Sequence, residues 1–274
     1  MNTLAELYRE WEAQYDANAA QAQRLSDEAA QEAYASGDTW APLLNIFTPG
    51  EAEPLGLPLV TPLLRPEDTL LDVGAGGGRI AAALAGTVEQ IRGVDPSPAL
   101  SAALHQLAAE LPNLEALDAF AWPPADFIGQ SDVVLSWNVL YYVREIEQFL
   151  DAYEAHAGRL CIAVLGERAG AAPPQSLFEA VRGEPFAELP ALNELIAILA
   201  ARGADYELRR TPRPPVVEVP QVERLRRLCM VTEGSPEDTI LQAELERRAD
   251  DDPKHLNSMR TLAVVSWVPP EAAS

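Results

Sequence analysis

The chain has 274 residues, 48% of them hydrophobic, enough for one large α/β domain with an appended segment or for two small domains. No apolar run approaches the ~20 residues that span a bilayer, and the acidic start MNTLAELYREWEAQ lacks the basic opening and apolar stretch of a secretion signal. A cytoplasmic protein with no membrane contact is therefore expected. The net charge of −22, with a single lysine (Lys254), argues against a protein that grips phosphate backbones, so no nucleic-acid partner is expected and a small or cationic ligand fits better.

Residues 2–36 read as a helix. Leu4, Leu7, Tyr8, Trp11 and Tyr15 recur at helical spacing on one face. That stripe can pack on a main domain, act as a lid, or form the surface of a homodimer. Residues 37–67 are rich in Pro and Gly and read as loop and connector. From 68 onward strands and helices alternate. TLLDV (69–73), QIRGVD (90–95), NLEAL (113–117), SDVVLSW (131–137) and GRLCIAVLG (158–166) read as strands. Between them, 79–86, 97–111 and 144–157 read as helices, the second opened by Ser97 and Pro98. This order predicts a mostly parallel sheet with helices on both faces. Helices follow at 175–182, at 190–202 and over most of 220–249, broken near Gly234–Pro236. Two late strands, 205–212 and 260–268, would extend the sheet at one edge. The expected division is 1–66 as helical segment and connector, and 67–274 as the α/β domain, with helical insertions within 167–258.

Isolated reactive groups offer little. Cys161 and Cys229 are far apart and read as buried small residues. His105, His156 and His255 have no metal-ligand spacing, so no metal is expected. Arg209, Arg210, Arg213, Arg224, Arg226 and Arg227 are interleaved with Asp205, Glu207, Glu218 and Glu223 and read as a solvated, ion-paired surface.

The strongest signal is LLDVGAGGGRIAAALA (70–85). A strand carrying Asp72 runs into Gly74, Gly76 and Gly78, and a helix follows. Glycines let the backbone turn sharply and a ligand approach, and the helix start offers free N–H groups. Asp95 closes the next strand, where a carboxylate can accept from ribose hydroxyls. Alone, Gly76-x-Gly78-x-x-Ala81 also satisfies a dinucleotide-binding fingerprint.

With D-x-G-x-G-x-G followed by GVDPSPAL (93–100), LEALDAFAWPP (114–124) and DVVLSWNVLYYV (132–143), the chain resembles the class I S-adenosylmethionine-dependent methyltransferases. The motifs cover roughly 66–166. The resemblance implies a Rossmann-like seven-stranded sheet, S-adenosylmethionine as cofactor and S-adenosylhomocysteine as product. By that similarity Asp72 orders the glycine turn and faces the cationic methionine end. Gly74, Ala75, Gly76 and Gly78 approach the cofactor, and Asp95 with Pro96 meets the ribose. Asp118 accepts from the adenine amino group, with Ala119 and Phe120 beside the ring, and Trp122 is either core or pocket wall. Ser136, Trp137 and Asn138 contact the methionine moiety and the acceptor, and Tyr141 and Tyr142 orient the acceptor.

No residue stands out as a catalytic base. The S-W-N-V that ends the fourth strand departs from the N/D-P-P-Y/F motif of members that methylate base amines or a glutamine amide. The expectation is in-line methyl transfer to a small molecule held between the N-terminal helix, the 37–67 loop and the 167–258 insertion. Open alternatives are a noncatalytic cofactor-binding protein, a protein or RNA methyltransferase, and an NAD-dependent oxidoreductase.

Overall fold

The computed structural model describes residues 2–26, 44–170, 172–211, 222–251 and 261–270. Lys254, His255, Arg213, Glu218 and the 27–43 part of the first helix and loop lie outside the described residues.

Helix α1 (Leu4–Leu25) begins at a capping box. The Glu6 amide donates to Thr3 Oγ1, and the Thr3 amide donates to Glu6 Oε2. It ends earlier than its periodicity suggests, because Ser26 turns extended. The Pro-rich connector is not all loop. It holds the short helices α2 (Leu44–Phe47) and α3 (Leu57–Val60) and a 3₁₀ turn, Thr61–Leu63. Pro58 sits in the first turn of α3, where a missing N–H costs nothing, so proline density misled the sequence expectation.

The remaining elements are β1 (Thr69–Val73), α4 (Arg79–Leu84), β2 (Gln90–Val94), α5 (Pro98–Ala108), β3 (Leu114–Ala116), β4 (Ser131–Trp137), α6 (Ile146–Ala155), β5 (Ala157–Gly166), α7 (Gln175–Arg182), α8 (Leu192–Ala201), β6 (Tyr206–Arg210), α9 (Val222–Leu228), α10 (Pro236–Asp251) and β7 (Leu262–Trp267). Ser97 caps α5 by accepting from the Leu100 amide. The seven strands lie in the order β3-β2-β1-β4-β5-β7-β6. The first five are parallel, and β7 runs antiparallel to both β5 and β6.

Alternation along the strands builds a core on each face. On one, Leu71, Val73, Val134 and Cys161 meet Tyr8 and Trp11 of α1, Phe149 and Tyr153 of α6, and Leu195 and Leu199 of α8. On the other, Leu70, Val133, Leu135 and Ile162 meet Ile80 and Leu84 of α4 and Leu104 of α5. Helix α1 is thus part of the domain. Its Trp11 indole donates to the Val143 carbonyl at 2.7 Å, and its Gln21 amide exchanges bonds with Pro185 and Ala187. The stripe expected as packing face, lid or dimer surface is spent mainly on packing. Leu177, Phe178, Val181, Leu225, Cys229 and Leu241, from α7, α9 and α10, form a third, separate core.

Candidate functional site

In the sheet, β1 is flanked by β2 on one side and β4 on the other, and the chain's winding reverses between β1 and β4. At such a point the loops leaving the two strand ends diverge and open a crevice. A cavity of about 640 Å³ occupies it.

The floor comes from the turn after β1. Gly74, Gly76 and Gly78 all have positive φ (77°, 59° and 87°). A Cβ on Gly74 would stand 2.5 Å from Val139 Cγ2, and one on Gly78 would stand 2.3 Å from Leu107 Cδ2. Glycine is therefore needed at both for backbone shape and for space. Gly74, Ala75 and Gly76 line the cavity, whereas Gly78 caps α4 behind it.

The amides of this turn are not free. Gly74 and Ala75 donate to the Val94 carbonyl at 2.9 Å each, and Gly78 donates to Ala75 at 3.0 Å. Gly76 donates to Asp95 Oδ2 at 2.9 Å, and Gly77 donates to the Phe47 carbonyl at 3.1 Å. The sequence expectation of open N–H groups is corrected for these five residues. Their donors hold the turn to β2 and to α2, which leaves none of them to cradle a pyrophosphate.

Asp95 lines the cavity and accepts from both the Gly76 amide and, through Oδ1, the Ser97 amide at 2.9 Å. Burial raises its pKa above the usual carboxylate range, an effect the Ser97 and Gly76 amides oppose. Asp72 lies outside the lining at 1% exposure. Neither of its carboxylate oxygens has a hydrogen-bond partner among the described residues. Burial, reinforced by the nearby Asp95 charge, pushes its pKa up to about 7.

The far wall comes from the end of β4. Trp137 and Asn138 line the cavity, while Ser136 is buried behind them. Asn138 has φ 61°, uncommon outside glycine, and its amide still donates to Val164 at 2.8 Å. The two tyrosines part company. Tyr142 lines the cavity, while Tyr141 is 1% exposed and its hydroxyl accepts from the Gly166 amide. Tyr141 therefore braces β5 and does not face the cavity. After β3, Phe120, Ala121, Trp122 and Pro123 line the cavity, whereas Asp118 and Ala119 are exposed and outside its lining.

The N-terminal segment closes the site with Tyr15 of α1 and with Ile46, Phe47, Pro54 and Leu55. None of the described residues of 167–258 lines the cavity, so the contribution expected from that insertion is not made by them. Its described apolar side chains are divided between the first core, through α8, and the third core, through α7, α9 and α10. Sequence reasoning also passed over Arg79, Arg144, Glu145 and Gln148, all in the lining. Only Arg79, directly after the glycine turn, carried a positional hint. Arg144 has its charge engaged. It donates to both oxygens of Asp16 at 2.8 Å and to Glu145 at 3.1 Å, and Glu12 lies 3.7 Å away. Among the described residues no His, Cys, Asp and Glu cluster could hold a metal ion, and no helix is long and apolar enough to cross a membrane.

Residues 71–159, from β1 into β5, match the profile of a family described as a methyltransferase domain. No curated protein matches the sequence. Among solved structures, the YcgJ protein of Bacillus subtilis aligns with a TM-score of 0.54 at 15% identity, over 79% of this chain and 99% of that one. The magnesium protoporphyrin IX methyltransferase of Synechocystis PCC 6803, solved with bound S-adenosylhomocysteine, aligns at 0.49 and 15% identity, over 77% and 78%. The plantazolicin methyltransferase BpumL, also in complex with that product, aligns at 0.49 and 13%, over 97% and 99%. The match to a methyltransferase domain thus spans the glycine turn and the strands from β1 into β5, and the likeness to YcgJ shows a shared fold.

Proposed function

We propose that the chain transfers the methyl group of S-adenosylmethionine to a small molecule bound in the same cavity. The observation that supports this most directly is the size and lining of the crevice. About 640 Å³ lies within the range of small-ligand sites, and Tyr15, Phe47, Leu55, Trp137 and Tyr142 wall it. The five internally bonded turn amides count against a dinucleotide.

The residues present suit the cofactor. Asp95 can still accept from ribose hydroxyls through lone pairs its two amides leave open, and Phe120 and Trp122 offer apolar faces beside it. Asp72, a buried carboxylate without a hydrogen-bond partner among the described residues, supplies negative potential beneath the turn, which favours a cationic ligand in a region of low dielectric. When bound, S-adenosylmethionine supplies a methyl carbon whose sulfur leaves as a neutral thioether. The chain's task is to align that carbon with an acceptor lone pair and exclude water. Trp137, Asn138 and Tyr142, at the end of β4 and the turn after it, are placed to position the acceptor. The acidic surroundings of Arg144 (Glu12, Asp16 and Glu145) favour a neutral or cationic acceptor over an anionic one.

Titration calorimetry with S-adenosylmethionine, S-adenosylhomocysteine and NAD tests the cofactor. Micromolar binding of the first two alone is the expected result, and preference for NAD would overturn it. A screen of small amines, phenols and thiols with a labelled methyl donor then tests the acceptor class. Labelling confined to protein or RNA would refute the small-molecule assignment.

A further inference from the structure

Two arginines line the cavity, and they differ in one respect. Arg144 is surrounded by three carboxylates, whereas Arg79 forms no ion pair among the described residues. Arg79 Nη1 donates to the Ile46 carbonyl at 3.1 Å and Nη2 to the Ala52 carbonyl at 3.2 Å. Its Nε is buried and has no acceptor among the described residues. Carbonyls orient a guanidinium without neutralising it. The side chain is therefore a fixed positive charge, uncompensated among the described residues and with its Nε unused, at the edge of a cavity whose other fixed charges are largely acidic. The turn amides that could have received an anion are already engaged.

The same two carbonyls belong to the segment 44–55, which supplies Ile46, Phe47, Pro54 and Leu55 to the cavity wall. The segment lies tight on the turn. A Cβ on Gly77 would stand 2.6 Å from Thr48 Cγ2, and the Gly77 amide donates to the Phe47 carbonyl. Leu44, Ile46 and Leu55 are nonetheless exposed. The segment is held by a few polar bonds more than by burial.

We infer that Arg79 pairs with the carboxylate of the cofactor's amino-acid end and, through its bonds to Ile46 and Ala52, fastens the 44–55 segment over the bound ligand. This rests on the cofactor proposed above. Arg79 acts as a binding residue toward the carboxylate and as a positioning residue toward the segment. A planar fork is suited to both tasks at once, because it can face a carboxylate on one edge and carbonyls on the other.

The test compares S-adenosylhomocysteine with 5′-methylthioadenosine, which lacks the amino-acid end, on wild type, Arg79→Gln and Arg79→Lys. Wild type is expected to prefer the full ligand. Arg79→Gln should lose roughly ten- to hundredfold of that preference with little change toward 5′-methylthioadenosine, as loss of one charged hydrogen-bonded contact predicts. Arg79→Lys, which keeps the charge without the fork, should fall between. S-adenosylhomocysteine should also protect Phe47 and Leu55 from chymotrypsin more than 5′-methylthioadenosine does, and Arg79→Gln should abolish the difference. If both variants keep the wild-type preference and protection, Arg79 does not hold the cofactor carboxylate; an acceptor carboxylate at Arg79 would give that same result and equally overturn the assignment. Failure of wild type to bind S-adenosylhomocysteine would instead strike the cofactor proposal itself.

Discussion

Asp72 offers the sharpest test, because one substitution should make the protein more stable and less able to bind. Its carboxyl is buried at 1% exposure, has no hydrogen-bond partner among the described residues, and has a pKa raised to about 7 by burial and then by Asp95. The group holds its proton more tightly folded than unfolded. Its contribution to stability is therefore full below about pH 4 and is lost as pH rises through about 7. A rise from 3.8 to about 7 corresponds to about 4 kcal/mol between the two limits. Asp72→Asn replaces an unpaired neutral acid with an unpaired neutral amide, so it removes the ionisation cost and leaves the rest nearly alone. The ligand-free variant should exceed wild type by up to about 4 kcal/mol at pH 8 and by well under 1 kcal/mol at pH 4. In melting temperature the pH 8 gain is roughly 8–16 °C as an upper bound. The assay is calorimetric melting from pH 4 to pH 8, paired with cofactor titration at pH 8, where the variant should bind S-adenosylmethionine more weakly. A gain independent of pH, or none at pH 8, would refute the argument that Asp72 is ionised at a cost in the ligand-free protein.

Four further outcomes are expected. Asp95→Ala should weaken S-adenosylhomocysteine at least tenfold by calorimetry, since it removes both the lining carboxylate and the acceptor of the Gly76 amide. Gly78→Ala should cost roughly 2–5 kcal/mol in denaturant unfolding, from its φ of 87° and from the Leu107 side chain 2.3 Å from the new methyl. Trp11→Ala should cost roughly 3–5 kcal/mol and also weaken ligand binding, because the lost indole bond anchors Val143, a cavity residue. Cys161 and Cys229 are buried, with both thiols pushed up by burial, the latter to about 12. Neither should react with a thiol reagent at pH 8 until the chain is unfolded.

The local pattern of the chain carried the order of its elements. Apolar runs ending at glycine located β1 and β5, and Ser97–Pro98 marked the start of α5, because strand alternation, caps and turn glycines are properties of neighbouring residues. The glycine turn and Asp95 were legible for the same reason, their spacing being fixed by a single β-turn-helix-β passage. Properties that depend on which distant segments meet were left to the tertiary structure. Nothing in LYYV separates Tyr141 from Tyr142, yet a 3₁₀ turn sends one hydroxyl to the Gly166 amide and the other ring to the cavity. The 167–258 insertion looked like the acceptor side by its length, but α8 buries its apolar face in the first core, and α7, α9 and α10 bury theirs against one another. The 44–55 segment read as connector, because its role comes from lying on a turn some thirty residues away. The free amides inferred at that turn were claimed by Val94, Asp95 and Phe47, and only the folded chain decides that competition, since a donor is free only when no acceptor from elsewhere reaches it.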